Sequence, residues 1–365
     1  MIPLVMRFGA MGDMVLLIPI LKALHQRYGQ PCELISSGSW TTPLMQRVPA
    51  CGTLHLLTSR RAPYFFNRSQ RDLVHHLRNR PEGPVYVFET DEKSHELLRR
   101  AKIKPEWICS LREQPAVTNE HIIHQSAKLA QQTPAALSGD ANFSVSTMTL
   151  PDARPTLQDA DRRDCSDWLK QRGLTSGPLI LLQPGNKKTM KGGSRQRSSN
   201  VDYWPEASWA KVIESLRELV PHARIIICGV PSERPLAQDI VTRVSGSRGI
   251  IHIATDELPI PRLLALQERA DSLISVNTGP AHSAAAMGCP SVVMFTRHAH
   301  RAATLYAPIA TTAPVRILLP EVEAADADLS SITSSDVIAA WKELGTLVEA
   351  GASREGCYLS SALSA

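Results

Sequence analysis

Ser275-Val-Asn-Thr-Gly-Pro-Ala-His-Ser-Ala-Ala-Ala-Met-Gly288 joins an apolar run to a helix of small residues through one tight polar turn. The run at 272–276 reads as a strand; Thr278 and Gly279 supply the turn, Pro280 suits a first helical position, and Ala281 to Met287 are helix formers. Free N–H groups at such a helix start, together with the positive end of the helix dipole, favour a phosphate or carboxylate. A turn that merely starts a helix uses the same residues, so this segment alone leaves both readings open.

A second strand-turn-helix stands at the N-terminus, where apolar Leu4 to Phe8 runs through Gly9-Ala10-Met11-Gly12-Asp13 into an apolar helix expected from Met14. An acid is thereby placed at the C-terminal mouth of the first strand, the edge where open parallel sheets bind ligands. Asp13 also suits the role of a first-turn acid favoured by the helix dipole.

Working outward, strands are expected at 2–8, 32–36, 53–57, 85–88 and 106–109, and again at 179–183, 224–228, 250–253, 272–276, 291–295 and 315–318. Helices are expected at 14–27, 69–79, 92–101 and 119–132, then at 158–171, 206–219, 234–245, 260–269, 280–287 and 334–349. This alternation predicts an α/β fold with two parallel sheets covered on both faces. The Pro-, Ala-, Ser- and Thr-rich stretch 133–157 marks the boundary, although its strand-like part, 142–150, suits the first sheet. The expected domains are 1–155 and 156–333, followed by a helix over 334–350 and a loose tail over 351–365.

The 365 residues are 43% hydrophobic and 21% charged, enough to bury a large core in two domains. Seven scattered cysteines with no C-x-x-C pair and no histidine cluster at metal spacing predict reduced thiols, a cytosolic protein and no metal site. Met1-Ile2-Pro3 runs straight into a strand, so no signal peptide is expected, and the apolar run at 14–20 is too short to span a bilayer. The net charge of +5 is clustered at Arg60, Arg61, Arg68 and Arg71, and at Lys187, Lys188, Lys191, Arg195 and Arg197. Such clusters suit an anionic partner, and the second lies in a glycine-rich loop after the strand ending at Gln183. No nucleic-acid-binding motif accompanies them, so no nucleic-acid partner is expected.

Several motifs together resemble glycosyltransferase family 9, the ADP-heptose:lipopolysaccharide heptosyltransferases. They are Arg7-Phe-Gly-Ala-Met-Gly-Asp13, Leu182-Gln-Pro-Gly185, Tyr203-Trp-Pro-Glu206, Cys228-Gly-Val-Pro-Ser-Glu233, the stretch 271–288 and the strand 291–295, in the family's order. The resemblance implies a GT-B fold of two facing Rossmann-like domains, the first holding the acceptor and the second the nucleotide sugar, with the last helix crossing back to the first domain. It implies an inverting transfer that needs neither metal nor cofactor, with Asp13 as general base. Donor contacts would come from Asn277, Thr278, Gly279, Pro280, Ala281, His282 and Glu233, the last near the ribose, and acceptor contacts from Gly9, Ala10, Met11 and Gly12, to which the basic cluster adds Arg60 and Arg61 for an anionic acceptor. The implied partners are ADP-heptose and an anionic, lipid-linked glycan, which would bring peripheral contact with the cytoplasmic face of the inner membrane.

Two positions depart from the family pattern. Asn277 replaces a common Asp beside the sugar with an amide that donates as well as accepts, which leaves the sugar open. Asp202 stands where a phosphate-binding Lys is common, and Lys187, Lys188 or Lys191 in the preceding loop can take that role. Three alternatives remain: the same fold with another nucleotide sugar, a non-catalytic relative that binds nucleotide or glycan, and an NAD-dependent oxidoreductase. Against the last, Gly9-Ala-Met-Gly12 is not G-x-G-x-x-G, and Glu33 lies at the start of its strand instead of the end. No G-x-S-x-G elbow supports a serine hydrolase.

Overall fold

The structure is a computed structural model that describes the chain except residues 61, 115–119, 144–148, 187–188, 191–192, 201, 247–250, 297–298, 310–311, 321–327 and 346–365, and except the side chains of 141, 194–195 and 299–302. Two compact units divide it, Met1–Thr156 and Leu157–Ala365.

The first unit has five parallel strands: β1 (Leu4–Met6), β2 (Cys32–Ser36), β3 (Cys51–Leu56), β4 (Val85–Val87) and β5 (Ile108–Ser110), in the order β3-β2-β1-β4-β5. Its helices are α1 (Met11–Tyr28), α2 (Thr41–Met45), α3 (Arg68–Asn79), α4 (Glu92–Arg100) and α5 (Ile122–Gln131). β1, β2 and β4 are buried throughout, as strands covered on both faces must be, whereas edge strand β3 is partly exposed. Leu4, Met6, Ile35, Val85 and Val87 form one core with Leu73, Val74 and Leu77 of α3 and Leu97 and Leu98 of α4. By strand alternation Tyr86 faces the other way, where its hydroxyl lies 2.7 Å from that of Tyr28 at the end of α1. Gly29 then closes α1 in a left-handed conformation (φ 67°) that glycine adopts without strain.

The second unit has six parallel strands, β6 (Leu179–Gln183), β7 (Arg224–Ile227), β8 (Ile251–Ile253), β9 (Ser272–Val276), β10 (Ser291–Met294) and β11 (Val315–Leu318), in the order β11-β10-β9-β6-β7-β8. Its helices are α6 (Asp159–Gln171), α7 (Glu206–Leu219), α8 (Arg234–Arg243), α9 (Ile260–Arg269), α10 (Gly279–Met287), α11 (Ala299–Tyr306) and α12 (Ser334–Glu343).

Strand order reverses between β1 and β4 in the first sheet and between β6 and β9 in the second. At such a switch point neighbouring loops part in opposite directions and open a crevice at the C-terminal strand ends.

Of the helix expected over 334–350, α12 covers Ser334–Glu343, and residues 346–350 lie outside the described residues. α12 packs on α7, β10 and β11 of its own unit, with Val337 and Trp341 buried in that unit's core and Trp341 Nε1 donating to Ser272 Oγ at 2.8 Å. The apolar stripe of α12 is satisfied where the helix stands. Short α2 and the polar-flanked α11 are elements that periodicity did not indicate. Of the strand-like stretch 142–150, residues 142 and 143 belong to a 3-10 turn and 144–148 lie outside the described residues.

Candidate functional site

At the first switch point, Phe8, Gly9 and Ala10 carry the chain from β1 into α1. The helix begins at Met11, so Met11, Gly12 and Asp13 form its first turn instead of preceding it. Ala10 at the N-cap has no side-chain acceptor, and Asp13 compensates by folding back: its Oδ2 accepts the Ala10 N–H at 2.8 Å. Its Oδ1 accepts from Arg7 at 2.8 Å. A Cβ on Gly9 would lie 2.5 Å from Asp13 Oδ2, so only glycine leaves room for this fold-back. Asp13 is thus a capping acid, and because its side chain is 26% exposed it is also open to a ligand.

Arg7 also donates to the Phe88 carbonyl at 2.8 Å and lies 3.6 Å from Glu89, two residues past the end of β4 across the switch point. Glu89 accepts the Phe8 N–H at 2.7 Å and Arg60 at 3.0 Å. Burial pushes the Glu89 carboxyl above the usual carboxylate range, against the lowering effects of the Phe8 N–H, Arg7 and Arg60. Arg60 reaches Asp91 as well, at 3.0 Å, and stacks over Phe8 at 4.4 Å. It therefore stands at the same strand edge as Asp13, with its charge matched by two carboxylates. Arg61 lies outside the described residues.

At the second switch point, the loop after β6 and the turn after β9 leave neighbouring strands. Asn277 continues the ladder through its N–H to the Met294 carbonyl at 2.9 Å, and extended Thr278 caps α10. Gly279 is the first helical residue and Pro280 the second, one position later than its sequence suggested; as Pro280 has no N–H, outward donors must come from its neighbours. Gln267 of α9 fixes this first turn by donating to the Pro280 carbonyl at 2.9 Å. Asn277 through Pro280 are half-buried, and Ala281 and His282 are buried.

Glu233 occupies the neighbouring strand end. It is 4% exposed, which excludes a surface helix-start acid. Its Oε2 accepts the Val230 N–H at 3.0 Å, and a Cβ on Gly185 or on Gly229 would lie 2.5 or 2.6 Å from its oxygens. The carboxylate is therefore wedged between the backbones leaving β6 and β7. Burial raises its pKa, while Val230 and Gln183 act in the opposite direction.

Lys187, Lys188 and Lys191 lie outside the described residues. Arg197 of the same basic stretch is paired to Glu206 at 2.7 Å and to Asp239. Asp202 has a structural role: it accepts Asn186 Nδ2 at 3.2 Å and Thr296 Oγ1 at 2.5 Å, tying the loop after β6 to the one after β10.

Two features escaped the sequence reading. Glu89 carried the same signal as Asp13, a first acid after a buried apolar strand. Glu33, His55 and His76 converge, with ligand-type atoms within 4.8 Å of one another, although their spacing gives no metal signature. Glu33 Oε1 meets His55 at 2.7 Å and also His76, while Oε2 accepts Arg80 at 3.1 Å. Arg80 already balances the carboxylate, so the cluster reads as an ion-paired clasp of β2, β3 and α3. Although burial opposes ionisation, the His55 hydrogen bond, the Arg80 charge and His76 hold Glu33 at about 2.

Residues 105–326, more than half of the chain, match the model of glycosyltransferase family 9 (heptosyltransferase). No curated protein matches the chain by sequence. Similar solved structures include E. coli ADP-heptose LPS heptosyltransferase II (17% identity, TM-score 0.71, 94% of this chain and 98% of that one). The glycosyltransferase family 9 protein of Veillonella parvula is 16% identical (TM-score 0.72, covering 94% and 96%). E. coli heptosyltransferase WaaC, solved with ADP, is 15% identical (TM-score 0.66, covering 94% and 100%). These likenesses establish the GT-B-type fold of two parallel-sheet α/β domains. With more than half of its length matching that family model, the chain belongs to glycosyltransferase family 9, the heptosyltransferase family, and is a glycosyltransferase.

Proposed function

We propose that the protein transfers heptose from ADP-heptose to a lipopolysaccharide core or related glycan, by single inverting displacement at the cytoplasmic face of the inner membrane. The carrying observation is the geometry of Asp13: a carboxylate held by the Ala10 N–H and Arg7 at a strand-order switch, and still open to solvent.

As the acceptor hydroxyl attacks the anomeric carbon, its proton passes to Asp13, and the sugar–phosphate bond breaks on the opposite side. The leaving ADP gains charge, which the first turn of α10, from Thr278 to Ala281, and the cations Lys187, Lys188 and Lys191 stabilise. His282 and Asn277 contact phosphate and sugar, Glu233 borders the ribose, and Gly9 to Gly12, Arg60 and Arg61 receive the anionic acceptor. The nucleotide sugar is a substrate, and the reaction uses no cofactor or metal on this reading. ADP bound to WaaC supports the adenine nucleotide.

The test is thermal stability against ADP, UDP, GDP, CMP and NAD, followed by transfer from ADP-heptose. A ligand at one hundred times its dissociation constant stabilises the folded state by about 2.7 kcal/mol. A shift confined to ADP is expected; preference for UDP or GDP changes the sugar, and a response to NAD alone overturns the assignment.

A further inference from the structure

The connection between β3 and α3 carries a 3-10 turn, Tyr64–Phe66, with an anchored side and a bare one. Tyr64 packs against the core of the first unit. Phe65 and Phe66 are 73% and 89% exposed, the two most exposed large apolar side chains among the described residues.

The turn is held firmly. Asn67 Nδ2 and Gln70 Nε2 each donate to the Ser59 carbonyl at 2.8 Å, and Gln70 also reaches the Ala62 carbonyl at 3.2 Å. The Arg71 guanidinium donates to the Phe65 carbonyl. The phenylalanines are therefore presented by a braced backbone, which lowers the ordering cost of any contact they make.

Their surroundings are cationic. Arg68 has an 88% exposed side chain and pairs only at 3.5 Å with exposed Asp72, while Arg71 is exposed and Arg100 lies over the rings of Tyr64 and Phe65 at 4.6 and 5.9 Å. Glu96 of α4 pairs with Arg100 and with Arg99, each at 2.7 Å. A two-residue knob is too small for a stable protein interface, which buries about 800 Å² on each partner. It suits a bilayer: aromatic side chains enter the headgroup–acyl boundary while arginines meet anionic phosphates. No helix among the described residues is long and apolar enough to cross a membrane.

We infer that Phe65 and Phe66, flanked by Arg68 and Arg71, form an anchor that docks the first unit on an anionic bilayer. This deepens the proposed reaction and rests on its lipid-borne acceptor for purpose, not for evidence.

The experiment is flotation of the full chain with phosphatidylcholine vesicles made with or without phosphatidylglycerol. The wild-type protein is expected to float with the anionic vesicles and to be released by high salt. Phe65→Ser with Phe66→Ser is expected to weaken binding about tenfold per ring removed, with an unchanged melting temperature because both rings are exposed. Arg68→Gln should weaken it about fivefold. Failure of the wild type to float, equal binding to uncharged vesicles, or undiminished binding of the serine variant overturns the inference. Self-association lost in the serine variant, without vesicle binding, assigns the patch to a second copy and also overturns it. Transfer from ADP-heptose without vesicle binding sinks the anchor alone, and vesicle binding without transfer sinks the proposed reaction alone.

Discussion

Asp13→Asn separates the capping role that the structure shows for this residue from the base role proposed for it. The amide oxygen of asparagine can still accept the Ala10 N–H, so the cap survives, and the lost charge partner of Arg7 is replaced in part by Glu89 at 3.6 Å. The Arg7–Asp13 pair is only partly buried, at 18% and 26% side-chain exposure, so its loss costs about 1 kcal/mol or less. Removing a general base, by contrast, lowers the rate about 10² to 10⁴-fold. Gly9→Ala acts on both jobs: its new Cβ, 2.5 Å from Oδ2, expels the carboxylate, removing a charged hydrogen bond worth about 1.5–3 kcal/mol as well as the base position. Thermal denaturation and single-turnover transfer from ADP-heptose should thus show Asp13→Asn folded but inactive, and Gly9→Ala both less stable and inactive. If Asp13→Asn kept more than about a tenth of the wild-type rate, Asp13 would not be the base.

Gly229→Ala places a Cβ 2.6 Å from Glu233 Oε2 and should reduce the stabilisation by ADP, read as a smaller nucleotide-dependent melting shift with unliganded folding retained. Glu33→Gln leaves Arg80 buried without its counter-charge and should cost about 3 kcal/mol at neutral pH in urea unfolding. Because the folded pKa of Glu33 is depressed to about 2, its stabilisation is full above the ordinary value of 4.5 and is lost as pH falls from 4.5 toward 2; the variant should lack that part of the acid dependence. Burial of Glu89 has the opposite sign: its raised pKa makes ionisation unfavourable to folding, so Glu89→Gln should melt higher than wild type near pH 8 and lose that advantage near pH 4. Trp341→Ala should cost about 3–5 kcal/mol in chemical unfolding, because it opens a cavity where α12 seats on its own sheet.

Strand positions were legible because parallel strands covered on both faces are apolar runs: Leu179–Gln183 and Ser272–Val276 occur where the sequence placed them. The start of α1 was not, since Gly9-Ala-Met-Gly12 has turn chemistry; Asp13, by bonding back to Ala10, lets the helix begin three residues early. The stripe of Val337 and Trp341 announced burial of α12 but not against which sheet, as an apolar face carries no address. Glu33 and His76 lie 43 residues apart and meet only through the edge-strand crossover, so spacing could not pair them. Read against the family pattern, Asp202 looked like a lost phosphate ligand, whereas its bonds to Asn186 and Thr296 give it a structural task.

The two carboxylates at the strand ends are built by one backbone device used twice. In each unit a glycine follows the strand, the next residue offers its N–H, and an acid four residues after the glycine folds back onto that N–H: Gly9, Ala10 and Asp13 in the first, Gly229, Val230 and Glu233 in the second. The glycine is required in both because a Cβ would lie 2.5 or 2.6 Å from the acid. What differs is the covering. Gly185, leaving the neighbouring strand, closes over Glu233 and buries it, so that its ionisation is opposed and it joins the two loops that border the proposed ribose site. Among the described glycines only Gly9 crowds Asp13; Arg7 pairs with it on one side, and its side chain is 26% exposed. A carboxylate paired to an arginine, oriented through both oxygens and still reachable can take a proton from an incoming hydroxyl, whereas a wedged one cannot reach it. The same motif therefore presents the proposed base in one unit and a clasp in the other, and the glycine of the adjacent loop decides which.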